Sequence, residues 1–309
     1  MKRNDLTHRK MKHNTSLSRK LFVTFNIIVL LGTTLICILP FINQLAVSFS
    51  HKSAVATNQV MFWPIGFNIS AYEFIMRGDA FTKALIVSLR RVALGVPVNL
   101  LLIILTAYPL SKSKEQFRLR SVYSWFFVIT ILFSAGLIPT YMIVRFTGLI
   151  DSIWALVLPG ALPVFSMLVV MNYMRSLPPE LEEAAFVDGA SHIRTLVHII
   201  LPVSTPTLAT VTLFSFVAHW NSWFDGQIYM NKIENYPLQS YLQTVVINVE
   251  AFFRNMTNVS QDIALYINMV NARTTAAAQM FLAMIPILAL YPFLQRYFAT
   301  GLVMGSVKG

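Results

Sequence analysis

The sequence predicts an all-α, polytopic membrane protein with six transmembrane helices. Three observations carry that expectation. Hydrophobic residues make up 56% of the 309 and charged residues only 12%, whereas soluble domains carry about 25% charge; the mean hydropathy is +0.61. Six segments are apolar over the roughly 20 residues that a helix needs to cross the hydrocarbon core. Lys and Arg gather in alternate connections. The apolar content excludes a disordered chain, and a single cysteine, Cys37, excludes a disulfide scaffold. A net charge of +11 would point to nucleic acid in a soluble protein. In a membrane chain it reports cytoplasmic Lys and Arg, so membrane lipid and not nucleic acid is the expected partner.

The first element is a basic segment, 1–20, with Lys2, Arg3, Arg9, Lys10, Lys12, Arg19 and Lys20. A unit that carries all the expected spans, 21–299, follows, and a short tail, 300–309, ends the chain. The spans are expected at Leu21–Ser48, Val92–Leu110, Val122–Val144, Ile153–Met174, Pro202–Phe224 and Gln279–Phe298. The fifth is the most dilute, with Ser204, Thr205, Thr207, Thr210 and Thr212. Such hydroxyls can return their bonds to the helix backbone. Lys112, Lys114, Arg118 and Arg120 follow span two and fall on the same side as the N-terminus. The bias in short loops therefore places both termini, the tail and the 175–198 loop in the cytoplasm, and 49–83 and 225–278 outside. The first apolar run is too long for a signal peptide, so it is read as an uncleaved anchor.

Several features leave two readings open. Arg90 and Arg91 stand at the start of span two; snorkelling to the interface is favoured over lining a polar cavity. In the second outer loop Leu238, Tyr241, Leu242, Val245, Val246 and Val249 follow helical spacing. That helix is too short to span, and could lie on the membrane, cap the bundle or meet an external partner. Asn68, Asn255 and Asn258 each begin an Asn-x-Ser/Thr triplet, to which no glycan is assigned. Trp220, Asn221, Trp223 and Tyr229 combine aromatic faces with an amide, as a substrate path would; an interfacial aromatic belt has the same composition.

The informative stretch is Ser176 to Pro202. Pro178 and Pro179 suit a helix start, where their missing N–H groups cost nothing. Glu180, Glu182 and Glu183 complement the positive end of that helix. Asp188-Gly189 should end it, because glycine accepts the left-handed cap, and Ser191 can cap a second short helix. A helix–turn–helix outside the bilayer results, with Leu181, Ala184, Ala185 and, less directly, Val187 on an apolar face.

Glu183, Ala184, Ala185, Gly189, Ile199, Leu201 and Pro202 stand at the spacing Glu-Ala-Ala-x3-Gly-x9-Ile-x-Leu-Pro. This resembles the EAA motif of permease subunits of binding-protein-dependent ABC importers at every fixed position. Tyr291 to Gly309, Ala107 to Ser111 and His219-Trp220-Asn221 are similar to carbohydrate permeases of the maltose-transporter type, particularly those importing complex oligosaccharides. The resemblance covers essentially everything after residue 20. It implies the type I ABC importer permease fold, a bacterial plasma (inner) membrane location and alternating access. It implies four partners: a second permease, two ATP-binding cassette subunits and an external sugar-binding protein. Glu183, Ala184, Ala185, Asp188, Gly189, Ile199, Leu201 and Pro202 would then couple to the ATPases, and Gly305 and Lys308 in the tail would touch them. Gly301 and Gly305 lie past the last span and are read as part of a flexible tail rather than a packing pair.

The chain has no Gly-x4-Gly-Lys-Ser/Thr, so ATP and Mg belong to partner subunits and this chain binds no cofactor. His-Glu-x-x-His, Gly-x-Ser-x-Gly and cysteine clusters are missing too, so neither a metal site nor a catalytic residue is expected. The rival readings are an ion-coupled secondary transporter or channel and an intramembrane enzyme. The first needs ionisable residues within the spans, and Asp151 and Asp225 sit only at span ends. The second needs a nucleophile–base or metal set; His198 and His219 stand alone.

Overall fold

A computed structural model describes residues 17–77, 79–247 and 271–304. All regular structure in these residues is helical. In chain order the helices are α1 (Leu17–Ser48), α2 (Lys52–Ala56), α3 (Ser70–Arg77), α4 (Asp79–Ser111), α5 (Arg120–Leu132), α6 (Leu137–Phe146), α7 (Val164–Ser176), α8 (Glu180–Val187), α9 (His192–Thr195), α10 (Leu201–Val203), α11 (Thr205–Asn221), α12 (Phe224–Tyr229), α13 (Leu238–Ile247) and α14 (Ala272–Met304).

Three of these, α1, α4 and the Ala272–Ala289 part of α14, are each long and apolar enough to cross a membrane. The other three expected spans are broken, which corrects their reading as single helices. α5 and α6 meet at 114°, the 153–160 turns and α7 at 48°, and the α9–α10 run and α11 at 82°. If each bent pair is one span, the total is six. The breaks have local causes. Gly136 takes φ +84° at the start of α6, a conformation that only glycine adopts cheaply. Pro159 and Pro163 interrupt the 153–164 segment, and Pro206 lies in the first turn of α11, where a missing N–H costs nothing. Span two also begins 13 residues earlier than Val92, because α4 runs back to Asp79. It extends over 33 residues, or about 50 Å at 1.5 Å per residue.

α4 is the axis of the bundle. It packs along α7 and α11, and α14 packs against α1, α3, α11 and α13. Towards the α8 end, Ile103, Ala107, Met167, Val170, Met171, Leu196, Ile200 and Val211 form one core. Towards the far end, Phe74, Ile75, Phe81, Trp220, Leu238, Tyr241 and Ala283 form another. α13 therefore caps the bundle: Leu238, Tyr241 and Leu242 are buried against it rather than laid on a membrane surface. Residues 248 and 249 lie outside the described residues. α1 is apolar all round and exposed along most of its length. Among the described residues it is buried near its end, where Ala46 and Val47 meet Val55 and Ala277. A helix of that composition belongs in hydrocarbon or against another apolar chain. At the other terminus, α14 continues to Met304, so Gly301 lies within a helix rather than in a flexible tail.

Candidate functional site

Two constructions stand out, one at each end of α4. The first is the segment from α8 to α10. Pro179 opens α8, and it closes with the Asp188 N–H on the Ala184 carbonyl and the Gly189 N–H on the Phe186 carbonyl, each at 3.0 Å. Gly189 takes φ +78° with nothing within 4 Å of where a Cβ would lie, so the requirement for glycine there comes from the backbone alone. Ser191 then caps α9 by accepting from the Arg194 N–H, and the Phe186 ring meets the His192 ring edge-on at 4.9 Å. A π-turn over Leu196–Ile200 follows, in which the Leu201 N–H reaches back five residues to the Leu196 carbonyl. Pro202 comes next and cannot donate, so the turn absorbs the irregularity.

This hairpin turns an apolar and acidic surface outward. Val187 is 88% exposed and Ile193 76%; Leu181, Glu183, Ala184 and Asp188 are exposed with them, while Ala185 is buried. Ile199 and Leu201 are half-buried where the segment joins the core. The hairpin is tied to the bundle by an ion pair between Glu182 and Lys112. The Lys112 ammonium also lies 3.8 Å from the centre of the Tyr108 ring. Burial draws the Lys112 pKa below its ordinary value, while Glu182 opposes that shift. A groove of about 450 Å³ lies beside this junction, lined by Lys112, Arg120, Arg175, Glu182, Glu183 and Phe186 among others.

The second construction is a polar network inside the bundle. Arg91 is 3% exposed and forms a two-pronged ion pair with Asp225. Its remaining donors reach His219 Nδ1 at 3.4 Å and the Ser222 carbonyl at 3.4 Å. Asp225 also accepts from Ser222 Oγ at 2.8 Å and from the Gly226 N–H at 2.9 Å. On the far face of the imidazole, Nε2 lies 3.3 Å from the Asn99 amide oxygen, once that amide is oriented to donate to the Gly95 and Ala161 carbonyls. Only one tautomer serves both contacts, with the proton on Nε2. Snorkelling, the favoured expectation for the Arg90–Arg91 pair, is overturned for Arg91, which points inward to a carboxylate 134 residues away, while Arg90 is exposed. A fully paired buried charge is the arrangement the interior tolerates.

The network floors a cavity of about 670 Å³, whose walls include Phe165, Ser166, Phe214, Ser215 and Tyr229. Of the four candidate path residues, Tyr229 alone lines it. Trp220 is 1% exposed, donates from Nε1 to the Ala283 carbonyl at 3.2 Å and stacks on Phe216; its role is packing. Asn221 and Trp223 are exposed outside that wall. Gly305 and Lys308 lie outside the described residues. Asn99 and Lys112 were missed as site residues, whereas for Arg91 the polar-cavity reading was the less favoured of two. For Asn99, a polar side chain inside an apolar helix was the signal.

Gly95 explains how the helices approach closely enough for this. A Cβ there would fall inside the His219 ring. Gly95→Ala is expected to cost about 1–3 kcal/mol through overpacking, read as a lowered melting midpoint in detergent. Gly32→Ala is the control, because Gly32 has nothing within 4 Å. Equal midpoints for the two variants would sink this account of the helix contact.

The family described as binding-protein-dependent transport system inner membrane component matches over residues 63–303. Protein LplC of Bacillus subtilis (strain 168) is 36% identical over 301 residues, covering 96% of this chain and 98% of that protein. The polygalacturonan/rhamnogalacturonan transport system permease protein YtcP of the same organism is 35% identical over 280 residues, covering 91% and 96%. One chain of the crystal structure of a bacterial ABC transporter involved in the import of the acidic polysaccharide alginate superposes with a TM-score of 0.83. It is 29% identical, and the match covers 92% of this chain and 98% of that one.

Proposed function

This chain belongs to the family of binding-protein-dependent transport system inner membrane components, and we propose that it is the sugar-importing permease subunit of an ATP-driven transporter. The relatives that cover nearly its whole length include a polygalacturonan/rhamnogalacturonan permease and a chain of an alginate importer, so the cargo is an oligosaccharide. The chain is a transport subunit and not the ATPase. ATP and Mg are handled by two partner cassettes, a second permease completes the pathway, and an external binding protein delivers the sugar.

The observation that carries the coupling role is the exposed hairpin of α8 and α9. Its first helix is short, begins at Pro179 and is closed by the Asp188–Gly189 turn, it carries Leu181, Ala184 and Val187 outward, and Glu183 stands exposed beside them. An apolar ridge rimmed by carboxylates fits a cleft with basic or amide edges. ATP-driven closure of the cassettes would pull on Glu183, Ala184, Ala185, Asp188 and Gly189, and through Ile199, Leu201 and Pro202 on α11. Gly305 and Lys308 would make a second contact with the cassettes. On the other side of the membrane, the 225–278 loop, with α13 as its base, would meet the binding protein. Ion-coupled transport finds less support. The intramembrane charges at Arg91 and Asp225 neutralise each other directly, whereas a proton or cation carrier needs a carboxylate free to load.

Orientation is tested in intact cells with an impermeant thiol reagent. With Cys37→Ser as background, single variants Ser113→Cys, Thr257→Cys and Ser306→Cys are expected to differ. Only Thr257→Cys should label, because short basic loops stay in the cytoplasm. Labelling at position 113 from outside would overturn the placement of α8. Co-purification of an ATP-hydrolysing subunit separates the importer from the ion-coupled reading.

A further inference from the structure

The cytoplasmic end of α4 is held by cations from three directions. Lys112 pairs with Glu182 on α8. The Arg120 guanidinium, at the start of α5, donates to the Lys112 carbonyl at 3.0 Å. The Arg175 guanidinium, at the end of α7, donates to the Leu110 carbonyl at 3.2 Å. The two arginines satisfy carbonyls that a helix terminus leaves without partners, and their charge suits the negative end of the helix. Lys112 has a different task. It is 9% exposed, and its charge lies over the Tyr108 ring of α4 while pairing with a residue 70 positions later.

The other half of α4 is held as firmly. Arg91 grips Asp225 at the elbow between α11 and α12, and Ser88 Oγ accepts from the Leu238 N–H at 2.7 Å where α13 begins. Lys112 follows Arg91 by 21 positions, which spans about 30 Å along a helix, close to the thickness of the hydrocarbon core. A helix yields little along its own axis. One element thus carries an ion pair to the hairpin at one end and an ion pair to the α11–α12 elbow at the other.

We infer that Lys112 is the positioning residue through which α8 moves α4, making α4 a strut that carries cassette closure to the Arg91–Asp225 network and its cavity. The inference rests on the importer reading and adds to it a second route of force, besides the covalent one through α9 and α10. Covalent continuity pulls on α11. The Lys112–Glu182 pair pulls on α4, and α4 and α11 each supply part of the cavity wall, with the 155–166 segment and α12 supplying the rest. Driving α4 and α11 through separate links sets how these two walls move relative to each other.

The test uses the complete complex in proteoliposomes, with loaded binding protein outside and ATP within. Sugar uptake and ATP hydrolysis are measured on the same sample. Lys112→Met is expected to lower sugar carried per ATP by about tenfold, within the usual range of coupling between sites, while hydrolysis continues. The exchange variant Lys112→Glu with Glu182→Lys restores the pair with its sign reversed, and should recover most of the ratio. A static brace would not move that ratio. A Lys112→Met complex with the wild-type ratio overturns the inference and leaves the importer reading standing. If Lys112→Met fails to assemble, the exchange variant decides: assembly with a recovered ratio supports the strut, and any other result overturns it. A wild-type complex that hydrolyses ATP with no uptake of any oligosaccharide overturns the importer reading, and this inference with it.

Discussion

Asp225→Asn should cost the folded protein about 3–5 kcal/mol, the penalty for leaving a buried charge without its partner. Asparagine keeps the acceptor oxygen that Ser222 Oγ and the Gly226 N–H use, so the substitution isolates the charge. What remains is Arg91, 3% exposed and with no other carboxylate among its partners. Arg91→Met should cost less, because the Asp225 side chain is 23% exposed and can turn towards water. Combining the two should recover part of the loss from Asp225→Asn, since close charges are not additive. The measurement is the fraction of monodisperse protein surviving a graded heat challenge in detergent. If Asp225→Asn survives as wild type does, the network does not hold α4 to the α11–α12 elbow, and the strut loses its far anchor.

Gly189→Val should abolish most sugar uptake while leaving the protein in the membrane. Valine at φ +78° would strain the backbone by about 1–2 kcal/mol, and the surrounding space is open, so no clash is added. That is too little to unfold a bundle whose cores lie elsewhere. It is enough to straighten or reorient the Asp188–Ser191 turn, which sets the angle between α8 and α9. Hydrolysis should continue with uptake per ATP falling by about tenfold or more, since a docking lever at the wrong angle loses its coupling. Glu183→Ala should act in the same direction and more weakly. Wild-type uptake by both variants would remove the hairpin from the coupling path. Disappearance of Gly189→Val from the membrane would show that the turn is needed for folding instead.

Much of the hairpin was legible in the sequence because its determinants are local. Proline at a helix start, glycine at a left-handed cap and serine at an N-cap each act within four residues, so Pro179, Gly189 and Ser191 stand where composition and spacing put them. The helical period over 238–247 was legible for the same reason, but what it packs against was not. The bends were harder. Hydropathy averages over a window, and a window cannot feel Gly136 turning the chain through 114°. Trp220 shows the same limit: an aromatic beside an amide reads alike whether it faces a cavity or fills a core, and only the Ala283 carbonyl, 63 positions away, decides between them.

By itself the sequence determined the class, the helical character and the local turns of the 176–202 hairpin. These follow from composition and short-range spacing, which are properties of the chain before it folds. Tertiary structure alone decided the fate of the charges. Arg91 could have snorkelled or turned inward, and Lys112 could have been one more cation in a basic loop. Each found a carboxylate far along the chain, Asp225 at 134 positions and Glu182 at 70. The physical reason is that a charge in a low-dielectric interior is tolerated only with a partner, and pairing at that distance is set by how α4 packs against α7 and α11, which no local spacing encodes.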